Sequence, residues 1–130
     1  MQLANFLRNI NEDYQERNRI YIPQQDMTIF AVTEDMIQEQ KMTKELKNLV
    51  HHYYERADTL FKKGINGIHD LVSGKFSILL ASRMYRENIR ILRRFNYNIF
   101  GKKIRLSRCK KIWILLTTVM IYPFWLLKNK

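Results

Sequence analysis

An all-α fold is predicted by three observations. Apolar residues recur at i, i+3, i+4 and i+7 over residues 43–63, the spacing of an amphipathic helix. A second long helix is read at residues 75–95, with its apolar residues on one side. Residues 112–127, I-W-I-L-L-T-T-V-M-I-Y-P-F-W-L-L, then run for sixteen positions without a charge. With 130 residues the chain makes at most one domain, with a modest core.

In chain order, the first helix is expected from about Leu3 to Tyr14, with Leu3, Phe6, Leu7 and Ile10 available for burial. Residues 20–30 contain Pro23 and the polar pair Gln24-Gln25, and read as a loop or a short helical turn. Thr33 followed by Glu34 and Asp35 has the pattern of an N-cap with acids in the first turn, where they meet the positive end of the helix dipole. In 43–63, Thr43 is the expected N-cap and Gly64 the expected stop. The stripe between them is Leu46, Leu49, Val50, Tyr53, Ala57, Leu60 and Phe61. A short helix is expected to reach Ser73-Gly74.

Phe76, Leu79, Leu80, Met84, Ile91, Leu92 and Phe95 share one side of 75–95, with Arg86, Arg90, Arg93 and Arg94 mostly on a solvated remainder. Asn96-Tyr97-Asn98 is a polar break and Gly101-Lys102-Lys103 a turn. The apolar run 112–127 falls short of the roughly 20 residues of a comfortable membrane span, and Pro123 interrupts its hydrogen-bond ladder. Trp113, Tyr122 and Trp125 near its ends, with lysines on both flanks, fit an interface-seeking segment. Membrane attachment or a marginal span is expected, and a buried terminal helix is the alternative.

The net charge is +11, and much of the excess is late: residues 83–111 hold eleven basic residues against Glu87 alone. Such a block attracts polyanions, whether diphosphates, nucleic acid or an anionic membrane. No nucleic-acid reading motif accompanies it, and the basic residues are not interleaved with a stacking platform, so nucleic acid is the least favoured partner. Cys109 is the sole cysteine, which excludes an internal disulfide and suits a reducing compartment. No charged segment followed by an apolar run opens the chain, so no signal peptide is expected and a cytoplasmic, membrane-associated location is read. His51 and His52 are adjacent and point about 100° apart on a helix, which is not a metal-binding pair.

The chemistry is concentrated at the start. Asn5, Asn9 and Asp13 are spaced i, i+4, i+8, which stacks three oxygen-bearing side chains along one helix face. Oxygen ligands suit a hard cation such as Mg²⁺, completed by phosphate and water. Arg8 lies beside this face, with Arg17 and Arg19 beyond it, placed to clamp anionic oxygens. A solvated helix face followed by a polar loop is the plainer alternative.

Asn5-Phe6-Leu7-Arg8-Asn9-Ile10-Asn11-Glu12-Asp13, then Arg19-Ile20-Tyr21-Ile22-Pro23, resembles the second aspartate-rich motif of the squalene/phytoene synthase family. Downstream, Phe95-Asn96-Tyr97-Asn98-Ile99-Phe100 and Ser107-Arg108-Cys109-Lys110-Lys111 resemble the stretch that closes the family's last catalytic helices, so the likeness covers most of residues 2–111. Asn9, whose neutral amide is a weaker Mg²⁺ ligand than a carboxylate, stands where the family usually has Asp.

The resemblance implies the isoprenoid synthase fold and head-to-head condensation of two prenyl diphosphates to a phytoene-, squalene- or dehydrosqualene-type product. It implies Asn5, Asn9 and Asp13 as metal ligands, with Mg²⁺ as the cofactor. Arg8, Arg19, Tyr97 and Lys103 are implied around the diphosphates, and Arg8, Tyr21 and Tyr97 as the catalytic set. Family members are about twice this length, the scale of a large single domain, and carry an earlier D-x-x-x-D motif that is found nowhere here. Residues 1–111 therefore read as a partial synthase domain, its C-terminal half, and 112–130 as an apolar terminal helix. The 130-residue chain alone is expected to have little or no activity, and an N-terminal half of a split synthase is an expected partner. The other reading is a small basic helical membrane-associated protein without catalysis.

Overall fold

The computed structural model describes residues 2–101 and 104–127. As expected from the sequence, it is all-helical. The described residues form α1 (Gln2–Arg17), α2 (Gln24–Ile29), α3 (Glu34–Gln38), α4 (Lys44–Gly67), a 3-10 turn (Ile68–Asp70), α5 (Lys75–Arg94) and α6 (Arg108–Leu127). The longer helices α1, α4 and α5 pack on one another, and α6 lies against α5. The core sits among the first three, where Leu7, Leu46, Leu49, Ile89 and Leu92 are fully buried, and Ile22, Met27, Val32 and Ile37 from the α1–α4 connection close it.

Local chemistry explains most of the boundaries. Thr43 caps α4 as expected, its hydroxyl accepting from the Leu46 N–H at 3.2 Å. Thr33 takes the N-cap position of α3 with extended backbone, but its side chain makes no capping bond. α1 continues a turn beyond Tyr14, supported by the i, i+4 pair of Asp13 with Arg17. Two short connections and α5 end in the same way. Ala31, Gln40 and Asn96 adopt positive φ (53°, 52° and 53°), and the next residue's N–H reaches back five positions to Met27, Met36 and Leu92. That is the Schellman closure, made here without glycine.

Three expectations are corrected. Gly64 does not stop α4, which runs on to Gly67. A glycine inside a helix costs about 1 kcal/mol against alanine, and the buried Phe61 and Ile68 on either side reward continuing. The short helix expected to reach Ser73-Gly74 is a single 3-10 turn. On α5 the buried residues are Leu79, Ser82, Ile89 and Leu92, while Phe95 is exposed. α5 is covered by α1 and α4 on one side and α6 on another, so no single stripe describes it.

α6 starts a turn earlier than the apolar run, with the Ser107 hydroxyl accepting from the Lys110 N–H at 3.2 Å. Of its residues only Ile114 and Thr118 are buried, and Pro123 lies within it.

Candidate active-site cleft

Along α1 opens a cleft of about 730 Å³. One wall carries Asn5, Asn9 and Asp13, the three oxygen-bearing residues singled out by spacing, and they do share it. Arg17 and Tyr21 border the same cleft, Tyr21 being half-exposed where the chain turns toward Pro23. Leu3, Phe6 and Leu60 supply apolar surface, and Tyr53 and Arg56 of α4 form the facing wall. Phe6 meets Tyr53 edge-on, with ring centroids 5.5 Å apart. The Tyr53 hydroxyl donates to the Asp26 carboxylate. Burial, and then Asp26, push its pKa up, so Tyr53 remains a neutral donor.

The oxygen face is already knitted by cations. Arg8 donates from Nη2 to Asn5 Oδ1 at 2.6 Å and from Nε to Asn9 Oδ1 at 3.0 Å. Asp13, 6% exposed, accepts from Arg17. Arg8 does not line the cleft itself but, with Asn9, lines a second hollow of about 150 Å³, bounded by Asn11, Glu12, Ile99, Gly101, Ile104 and Arg105. Glu12 pairs with Arg105 across it at 3.4 Å.

Other expected site residues lie apart. Arg19 is exposed, and its N–H bonds the Asp13 carbonyl at 3.2 Å. Tyr97 does not line the cleft. It packs on His51 (4.7 Å) and Tyr54 (5.5 Å), and burial raises its pKa. Lys103 lies outside the described residues. Sequence reasoning missed Arg56 and read Tyr53 and Leu60 purely as core. Their 53, 56, 60 spacing on α4 was the available signal for a shared wall. Leu60 is 54% exposed at the cleft.

The donor set can be tested against Mg²⁺. Two amide oxygens and one carboxylate are hard ligands of the right type, but they bring a single negative charge. No group of three or more His, Cys, Asp or Glu that could hold a metal occurs among the described residues. The face thus fits an ion whose remaining charge is supplied by a bound diphosphate, and does not fit one held by protein alone.

The profile of the squalene/phytoene synthase family matches residues 1–110. The chain belongs to this family. It is 30% identical over 112 residues to the chloroplastic phytoene synthase of an Oncidium hybrid cultivar, covering 85% of this chain and 27% of that one. With the phytoene synthase of Thermus thermophilus it shares 30% over 115 residues, 88% of this chain and 39% of the relative. A crystal structure of a dehydrosqualene synthase in complex with ligand superposes with a TM-score of 0.78 at 29% identity, covering 94% of this chain and 43% of that one. The chain thus spans less than half the length of each. Phytoene synthases are prenyltransferases, and the family typically uses Mg²⁺.

Proposed function

We propose that this chain is the C-terminal half of a head-to-head prenyl synthase and contributes the second metal-binding wall of its active site. The observation that carries this reading is the convergence of Asn5, Asn9, Asp13 and Tyr21 on one cleft that also has apolar surface. In that arrangement Leu3, Phe6 and Leu60 take the prenyl chain, which gains from leaving water. The diphosphate lies over the oxygen wall, where Arg8 and Arg17 turn from the amides and carboxylate toward its oxygens. Arg19, Tyr97 and Lys103 are assigned to the diphosphates by the family motif. Mg²⁺, held by Asn5, Asn9 and Asp13, supplies charge neutralisation for the leaving diphosphate when bound.

The reaction begins as the C1–O bond of one prenyl diphosphate breaks and its electron pair departs with the diphosphate. The double bond of the second molecule attacks C1, and loss of a proton closes a cyclopropane ring. Loss of the second diphosphate and rearrangement leave an allylic cation, which gives up a proton to become the C30 or C40 hydrocarbon. The chain's own residues favour the first step by presenting guanidinium donors where negative charge develops, and by lining the cation's path with apolar and neutral groups. The N–H and O–H donors of Arg17 and Tyr21 hold the departing group in place.

The test is complementation. The chain, alone and mixed with the N-terminal half of the Thermus thermophilus relative carrying its D-x-x-x-D helix, is incubated with farnesyl or geranylgeranyl diphosphate and Mg²⁺. Hydrocarbon product only in the mixture is expected. Product from the chain alone overturns the half-enzyme reading. No product in either, with the mixed halves shown to associate, overturns the catalytic one. A second reading is favoured by the Arg8 clamp on Asn5 and Asn9: an idle metal face on a basic, membrane-associated helical protein. Asp13→Ala then leaves every property but stability unchanged.

A further inference from the structure

A second concentration of charge lies away from α1, where α5 meets the first turns of α6. Arg83, Arg86, Glu87 and Arg90 of α5, with Lys110 and Trp113 of α6, line a hollow of about 210 Å³. It shares no lining residue with the α1 cleft. Glu87 is its carboxylate, and three cations crowd it: Arg90 at 3.0 Å, Arg94 at 3.4 Å and Lys110 at 3.6 Å. Arg86 is taken by Asp58 at 2.6 Å. Arg83 donates to neutral hydroxyls, Thr118 Oγ1 at 2.8 Å and Thr117 Oγ1 at 3.2 Å. Guanidinium and ammonium donors in excess around one carboxylate are the chemistry of a phosphate site.

Beside this hollow α6 presents an apolar face to the outside. Ile112, Leu116, Val119, Met120, Phe124 and Leu127 are exposed, Met120 by 71% and Phe124 by 74%. The opposite face is docked along its length, through Thr118 on Arg83, Tyr122 edge-on to Phe76 (5.2 Å) and Trp125 stacked on His69 (3.6 Å). A spanning α6 draws α5 and its arginines into hydrocarbon, where charge is expensive. An α6 lying in the membrane surface leaves them at the level of the headgroups. Basic residues beside an apolar helix face that carries Trp113 make the pattern of an interfacial anchor on anionic lipid.

We propose that the α5–α6 hollow binds the phosphate of an anionic phospholipid, with α6 lying along the membrane surface and its outer face in the acyl region. This does not depend on the synthase reading.

The whole chain is sedimented with vesicles of phosphatidylcholine alone, and with vesicles of equal parts phosphatidylcholine and phosphatidic acid. Binding at least about tenfold tighter to the second is expected from headgroup attraction. Arg90→Gln with Lys110→Gln removes two donors from the hollow. Arg108→Gln with Lys111→Gln removes the same charge outside it. The first pair should weaken binding about tenfold more than the second, because charge-assisted hydrogen bonds are lost as well as field. Equal losses mean diffuse attraction and overturn the site. Arg90 and Lys110 side chains are 46% and 40% exposed, so helix content by circular dichroism should hold. If it falls, Lys110→Gln against Lys111→Gln makes the same comparison. Inorganic pyrophosphate is titrated without vesicles to separate the sources. Tight binding there, lost in the hollow variant, with vesicles ignored, overturns the lipid assignment in favour of a soluble phosphate. Binding to neither probe overturns the proposal and leaves the face to a protein partner.

Discussion

The α1 wall and the α5–α6 seam both array arginines beside oxygen acceptors, but they are wired differently. On α1, Arg8 reaches Asn5 and Asn9 three residues and one residue away, and Arg17 reaches Asp13 four away. On α5, Arg86 meets Asp58 across 28 residues of chain, and Arg83 meets Thr118 across 35. The first set is local, with Arg17 largely exposed at 56% although Asp13 is buried, and its guanidiniums are free to exchange partners, as a ligand-binding wall must be. The second set joins separate helices and is shielded, so it holds structure first and leaves a cationic surplus second. Arginine count alone does not separate these roles, whereas the sequence distance to the partner does.

The largest effect that could break this contrast is on catalysis. In the complemented assay Asp13→Ala should lower product formation by about 10²- to 10³-fold, the scale for removing one electrostatic contact to a developing charge. It should leave vesicle binding unchanged.

Next is stability. Arg86→Met leaves Asp58 buried with only Lys62 at 2.8 Å, and should cost about 2–3 kcal/mol in urea unfolding, since breaking a shielded pair strands a charge. Arg8→Met, which loses only bonds within its own helix to the neutral amides of Asn5 and Asn9, should cost less than about 1 kcal/mol. Equal costs would erase the distinction drawn here.

Acid probes the same seam. Hydrogen bonds from Arg86, and then from Lys62, hold the Asp58 carboxyl at about 2 against an ordinary 3.8. Its folded value is depressed, so the stabilisation is present above about pH 4 and is lost as pH falls from about 4 toward 2. The loss should be on the order of 1–2 kcal/mol in wild type and smaller in Arg86→Met, followed by unfolding at each pH.

On the α1 side, Asn9→Asp restores a second carboxylate. It should lower the Mg²⁺ concentration needed for half-maximal activity by about tenfold, because ligand charge sets affinity for hard cations. The smallest effect is a reference for both regions. Ala31→Gly and Gln40→Gly relieve left-handed backbone at helix ends and should each stabilise by about 0.5–1 kcal/mol, touching neither site.

What was legible in the sequence followed the same division. The Thr43 cap, the limits of α5 and the shared face of Asn5, Asn9 and Asp13 are set by neighbours within a turn, and spacing sufficed for them. Gly64 misled because its small intrinsic penalty was overruled by the burial of Ile68 beyond it. Ile89 and Ser82 went unnoticed because α5 is covered from two sides, which blurs a single stripe. Leu60 follows the apolar period yet faces a cleft, and Tyr97 is placed by its contacts with α4. Neither could be read without the packing of distant helices.

The grip of Arg83 on Thr117 and Thr118 also fixes the angle at which α6 is turned about its own axis. A helix advances about 100° per residue. One residue inserted within α6 between Arg108 and Ile114 therefore has to unlatch those hydroxyls or swing the hydrocarbon side of one part of the helix round against α5. The spacing of the latch along α6 acts as a timing gear: it decides which side of a uniformly greasy helix meets the outside, a choice that the composition of α6 does not make by itself.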